Sequence, residues 1–236
     1  MAQLTGTQRG AYVQAMFARI AHRYDLINRL MTFGQDQAWR KRAIALTELP
    51  PGGRLLDLGT GTGDIALTAL GAVPGLRQVV GGDFTLEMMR VGRRRNQGQH
   101  IRWSATDALN LPFPDATFDA ITSGYLMRNV GDLDRAWSEQ LRILKPGGRV
   151  VCLDTTPPPQ NLLTPFIRFH LQTVIPTLGR LIAGASEAYT YLPDSTVRFL
   201  TAEALAERMQ RAGFEAIRFE RHMFGTMAIH RGQRPG

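Results

Sequence analysis

The sequence predicts an α/β fold: a Rossmann-like sheet of seven mostly parallel strands, closed by one antiparallel strand near the C-terminus. Three observations predict it. From residue 54 onward, strand-like apolar runs alternate with helical patterns. The first run leads into a glycine-rich loop, "LLDLGTGTGD" (55–64). After a last helix, two short strands, "EAIRFER" and "TMAIHRG", stand close enough to pair as an antiparallel hairpin.

The elements follow in order. Residues 11–46 read as helices, with Val13, Met16, Phe17, Ile20, Tyr24, Ile27 and Met31 at helical spacing, until Gly34 in "TFGQD" breaks the pattern. Strands are expected at 54–58, 78–83, 100–105, 118–123 and 149–154, and helices at 63–72, 86–96 and 132–144, the last ending in "KPGG". The segment 160–184 carries an apolar stripe (Leu163, Phe166, Ile167, Leu171, Val174, Ile175, Leu178) interrupted by Pro165 and Pro176. It reads as a helical insertion packed on the core, and equally as a cover over the active site or a surface that touches lipid. Thr201 is placed as the N-cap of the final helix and Gly213 just past its end. The whole is one domain: a helical cover (1–50), a ligand-binding core (51–155), the insertion (156–200), and the C-terminal helix with its hairpin (201–236).

Composition narrows the function classes. A chain of 236 residues that is 44% hydrophobic forms a proper core and is not disordered. The single cysteine, Cys152, allows no disulfide framework, which fits a reducing cytoplasm; its apolar strand context marks a buried thiol rather than a nucleophile. The formal charge is +8, and all basic residues but Lys41 and Lys145 are arginine. No basic block is interleaved with aromatics, which argues against nucleic acid, and the densest cluster, "RVGRRRNQGQ" (90–99), reads as the solvated end of a helix. The first residues lack the apolar core of a signal peptide, and no apolar run is long enough to span a bilayer. Pairing with a second copy is left open.

Gly59, Gly61 and Gly63 let the backbone turn sharply and approach a ligand, and the next helix starts with its free N–H groups at the loop. The spacing is neither that of a dinucleotide loop nor that of a phosphate-binding P-loop. Asp64 suits the positive end of the helix by roughly 0.3–1 kcal/mol and disfavours a pyrophosphate at the same place. With Asp57 it makes a loop suited to a cationic ligand without phosphate, a description that S-adenosylmethionine meets. Asp83 ends the second strand, where a carboxylate accepts both ribose hydroxyls, with Phe84 beside it. Asp107 and Ala108 follow the third strand, placed for an adenine. A nicotinamide dinucleotide would want the same acid at 83, so an oxidoreductase remains a rival. No group of residues has metal-ligand spacing.

Four stretches carry a more specific signal: "RYDLINRLMTFGQDQAW" (23–39), "LPFPDATFDAITSGYLMRNV" (111–130), "LRILKPGGRVVCLD" (141–154) and "AYTYLPDSTVRF" (188–199). On these the chain resembles the ubiquinone/menaquinone biosynthesis C-methyltransferases, a family of class I S-adenosylmethionine-dependent methyltransferases whose sheets end in an antiparallel strand. It departs from the family at Asp36, where a histidine is usual, at Asp154 and Thr156, where a glutamate and a serine are usual, and in "GYLMRN", which replaces "xFGLRN" and puts Gly124 where some members have a serine. The resemblance implies Thr62, Asp83 and Asp107–Ala108 as cofactor contacts. It implies a polyprenylated hydroquinone as substrate, most readily demethylmenaquinol, met in transient contact with the inner face of the membrane. Another small-molecule acceptor for the same cofactor is the alternative.

Ring carbon becomes nucleophilic when an adjacent phenol, of pKa roughly 10, loses its proton; doing so near neutrality takes about 4 kcal/mol of stabilisation. Arg128, with Asn129 beside it, follows the fourth strand and suits the oxyanion, unless it pairs with Asp132 or Asp134 instead. Tyr24 and Asn28 share a helix face, which by resemblance closes over the substrate. Asp25 reads either as a proton acceptor or as the partner of Arg29. His22, His170 and His222 are looser candidates for the base.

Overall fold

The computed structural model describes residues 24–158 and 195–236, with isolated positions between 15 and 22 and at 165, 173 and 177. The apolar stripe of 160–184 therefore falls outside the described residues, as do the side chains of Phe17, Ile20, Tyr24 and Ile27.

Two helices lead in, α1 (Tyr24–Met31) and α2 (Asp36–Thr47). The core then runs β1 (Arg54–Leu58), α3 (Asp64–Ala72), β2 (Gln78–Asp83), α4 (Leu86–Arg93), β3 (Ile101–Ala105), β4 (Phe118–Gly124), α5 (Leu133–Ile143) and β5 (Leu144–Thr155). It closes with α6 (Ala202–Arg211), β6 (Glu215–His222) and β7 (Met227–Gln233). The sheet order is β3-β2-β1-β4-β5-β7-β6. Strands β1 to β5 pair in parallel; β7 is antiparallel to both β5 and β6, so it alone is reversed. The expected hairpin is present, with its second strand inserted beside β5.

The central strands are buried on both faces, which is why they read as unbroken apolar runs rather than alternating ones. On one face Trp137, Ile143, Leu205, Met209 and Phe214 pack over Leu56, Phe118 and Val150. On the other, Ile44, Ile65, Ala66 and Ala69 cover Leu55 and Val79. Cys152 is fully buried, and burial pushes its thiol up, so it is inert. Thr201 caps α6, its hydroxyl accepting from the Ala204 N–H at 3.2 Å. The "KPGG" turn falls inside β5: Leu144 pairs with Phe118 and Arg149 with Ala120, so residues 145–148 bulge out of the ladder.

The strand order reverses between β1 and β4. That switch point, at the carboxyl ends of the strands, is where such sheets open a crevice for a ligand.

Candidate functional site

The glycine loop fills one side of this crevice. Gly59, Gly61 and Gly63 all take left-handed backbone, with φ of 68°, 57° and 85°. At Gly63 a β-carbon would also stand 2.7 Å from the Trp103 ring, so position 63 excludes a side chain twice over. The loop is pinned to β2 by Gly59 and Thr60 N–H groups donating to the Gly82 carbonyl (2.8 and 3.0 Å) and by Gly61 N–H donating to Asp83 Oδ2 (2.7 Å).

Asp57 does not reach the crevice. Its carboxylate accepts from Thr60 Oγ1 (2.6 Å), Thr122 Oγ1 (2.9 Å) and the Ala66 N–H (3.2 Å), all inside the protein. Burial pushes it up to about 6 against those hydrogen bonds. Asp57, expected among the ligand contacts, thus holds the loop from beneath through these hydrogen bonds. Thr62 is likewise turned inward: it is buried, and its hydroxyl donates to Asp25 Oδ1 at 2.7 Å.

Asp83 is better placed. Its two oxygens accept one backbone N–H each, from Gly61 and from Thr85 (2.7 Å). The Thr85 hydroxyl and the Phe84 N–H also bear on this carboxylate, so a pair of ribose hydroxyls would share its lone pairs with these groups. Burial raises the Asp83 carboxyl, opposed by those same N–H groups. Phe84 beside it is exposed. Asp107 is exposed, and its Oδ1 closes a turn with the Leu109 N–H (2.9 Å); Ala108 is buried. The Thr106 N–H donates to the Asp83 carbonyl, which brings the ends of β2 and β3 together.

Behind the loop lies a chain of charges that local sequence reading did not assemble. Asp36 pairs with Arg40 (2.9 Å), Arg40 with Asp64, Asp64 with Arg95, and Arg95 with Asp25 (3.1 Å). Asp64 is therefore compensated by two arginines, and its repulsion of phosphate does not act alone. Asp25 pairs with Arg95 and Thr62 rather than with Arg29. Arg95 belongs to the "RVGRRRNQGQ" run, yet it enters the site. The signal was Gly92: a β-carbon there would lie 2.6 Å from the Thr62 carbonyl, so only glycine lets α4 come close enough for Arg95 to reach the loop.

Across the switch point, the segment after β4 carries Arg128 and Asn129. Gly59 faces Leu126, whose Cβ would lie 3.0 Å from an added β-carbon, so the two loops touch. Arg128 pairs with Asp154, at the end of the neighbouring β5, and not with Asp132 or Asp134. Asp132 instead caps α5 through the Arg135 N–H (2.9 Å), and Asp134 pairs with Arg208 of α6 (2.7 Å). Asp154 also accepts the backbone N–H of Arg128 (3.2 Å) and of Thr155 (2.7 Å). Tyr125, in left-handed backbone at φ 59°, lies under the Arg128 guanidinium, 5.3 Å from ring centroid to Cζ. Asn129 Nδ2 donates to the Tyr125 carbonyl (3.0 Å), so its amide holds this strained turn. The departure at 154 was visible in the sequence; its pairing with Arg128 required the strand register. Tyr24 begins α1, and its side chain lies outside the described residues. Among the described residues, no group of three or more histidine, cysteine or acidic side chains is arranged to hold a metal ion.

The reversed strand beside β5, the glycine loop after β1 and the acid ending β2 together define a Rossmann-like methyltransferase fold. Among solved structures, the fold is shared with the [4+2]-cyclase SpnF (TM-score 0.69, 20% identity, 98% of this chain and 96% of that one). It is shared also with phosphoethanolamine N-methyltransferase 2 of Haemonchus contortus, solved with S-adenosylhomocysteine (TM-score 0.61, 18% identity, 83% of this chain and 52% of that one). The model of the ubiE/COQ5 methyltransferase family matches residues 4–234, and the chain belongs to that family. Its relatives include the ubiquinone/menaquinone biosynthesis C-methyltransferase UbiE of Desulfotalea psychrophila, 49% identical over 95% of this chain and 91% of that protein. The demethylmenaquinone methyltransferase of Thermus thermophilus is 46% identical over 93% of this chain and the whole of that protein. A methyltransferase, not a dinucleotide oxidoreductase, is therefore what this fold carries here.

Proposed function

We propose that this protein methylates a ring carbon of a polyprenylated hydroquinone, demethylmenaquinol foremost, with S-adenosylmethionine as the methyl donor. The observation that carries the reading is the family match over residues 4–234. Three features support the donor: the left-handed glycines leave room for close approach, the Asp83 carboxylate stands at the end of β2 to accept from ribose, and Phe84 offers an exposed apolar face for the adenine beside Asp107 and Ala108. When bound, S-adenosylmethionine supplies an electrophilic methyl group on a positively charged sulfur.

The chain's own residues prepare the acceptor. Arg128 opposes the hydroquinone oxygen as it loses its proton, and Asp154 and the Tyr125 ring hold the guanidinium in place. In so dry a setting a fixed cation is worth far more than in water, which suits the roughly 4 kcal/mol that ionisation near neutrality requires. Asn129 fixes the turn that carries Tyr125.

The prenyl tail meets apolar side chains at the site end of the sheet. Leu26, Leu30 and Phe33 are exposed on α1 and the turn after it, and Phe224, 71% exposed and left-handed at φ 54°, tips the β6–β7 turn. Among the described residues no helix is long and apolar enough to cross a membrane. In this reading these exposed apolar side chains make the contact with the inner membrane face. The test supplies methyl-labelled S-adenosylmethionine and demethylmenaquinol in vesicles. Label on the quinone ring carbon is expected; label on a soluble acceptor alone, or on oxygen, overturns the reading.

A further inference from the structure

Among the described residues, the charge chain behind the loop has one more carboxylate than guanidiniums. It holds three carboxylates, Asp25, Asp36 and Asp64, and two guanidiniums, Arg40 and Arg95. Asp36 is fully withdrawn from water and Asp64 nearly so, whereas the Asp25 side chain keeps 30% of its surface. Asp25 is also the member that touches the ligand loop, through Thr62, which sits between two left-handed glycines. Burial, and then Asp64, raise the Asp25 carboxyl against the pull of Thr62, Arg95 and Arg40. Among the described residues, the other two carboxylates and the two guanidiniums offset one another, so the charge of Asp25 is the one left over.

Resting on the reading of S-adenosylmethionine as donor, we propose that Asp25 is the charge-selecting residue of the cofactor site, favouring the cationic donor over its neutral product S-adenosylhomocysteine. Donor and product share ribose, adenine and amino-acid groups and differ at sulfur by a methyl and one positive charge. The excess negative charge under the loop attracts the donor's sulfur and has no such hold on the product's. Methyl transfer therefore removes the attraction at the moment when the product must leave. Asp25 is supplied by α1, so the charge is read by an element of the cover rather than by the sheet.

Calorimetry on the whole protein with each ligand separately tests this. Asp25→Asn neutralises the excess, and the ratio of donor to product affinity should fall roughly five- to tenfold, the size expected of one unit charge a few ångströms beyond contact in a partly screened site. Arg95→Gln enlarges the excess and should move the ratio the opposite way. A packing role for either residue weakens both ligands together; an unchanged ratio in both variants therefore overturns the proposal and leaves the donor reading intact. Binding of neither ligand to the unaltered protein overturns both.

Discussion

The guanidinium of Arg128 lies 2.5 Å from the carboxylate of Asp154, and the two side chains keep only 2% and 1% of their surface. Removing one member of so buried a pair strands the other's charge, at a cost of about 3–5 kcal/mol. Arg128→Ala should therefore lose turnover and stability together. The double variant Arg128→Met with Asp154→Leu removes both charges and should recover most of the stability in urea denaturation. It should recover no turnover if Arg128 opposes the substrate oxygen. Activity in the double variant would show that the pair serves only the fold.

Asp57 makes stability depend on pH. Its carboxyl sits at about 6 in the folded chain against 3.8 when free, so the folded state holds this proton the more tightly. Its contribution is fully present below about pH 4 and is lost as the pH rises through 6, by about 3 kcal/mol. Asp57→Asn carries no titrating group. Unfolding free energies measured at pH 3.5, 5 and 7 should show the wild type losing ground to that variant as the pH rises. Parallel curves would mean that Asp57 is not carried buried and protonated at low pH.

Gly92 offers a test in which the sign is the result. In a helix, glycine to alanine ordinarily stabilises by roughly 1 kcal/mol. Here the new β-carbon would press on the Thr62 carbonyl at 2.6 Å and push α4 from the loop. Gly92→Ala should therefore lower the melting temperature and weaken the binding of both ligands, the product more than the donor, as Arg95 is drawn out of the cluster. A stabilised variant with unaltered affinity would show that α4 has room to move.

Much of the sheet could be read directly because its signals are local. β1 and β2 run where the apolar residues put them, from Arg54 to Leu58 and from Gln78 to Asp83, and Thr201 caps the helix it was assigned. The site was less legible because its contacts join distant segments. Asp25 meets Thr62 across 37 residues, Arg128 meets Asp154 across 26, and no spacing rule connects them. At Asp57 the strand-end position suggested a ligand contact, and the hydrogen bonds from the Thr60 and Thr122 hydroxyls could be seen only in the fold. Gly92 is a local clue to Arg95, since a glycine inside a helix pattern costs about 1 kcal/mol against alanine and asks for a packing reason.

Asp83 should behave differently from Asp25. Its oxygens hold the Gly61 and Thr85 N–H groups, and in the proposed reading they also accept from the ribose hydroxyls, which donor and product share. Hydrogen bonds to a charged group are worth about 1.5–3 kcal/mol each, so losing the pair should weaken binding by about 100-fold or more. Asp83→Ala should do this to S-adenosylmethionine and S-adenosylhomocysteine equally. Asp83→Asn should fare little better, because the amide must turn a donor toward one of the two backbone N–H groups it replaces an acceptor for. Calorimetry with both ligands checks it, and crystals of the alanine variant should show Gly61 loosened from β2. A large loss for the donor with none for the product would move charge selection to Asp83 and leave ribose to other residues.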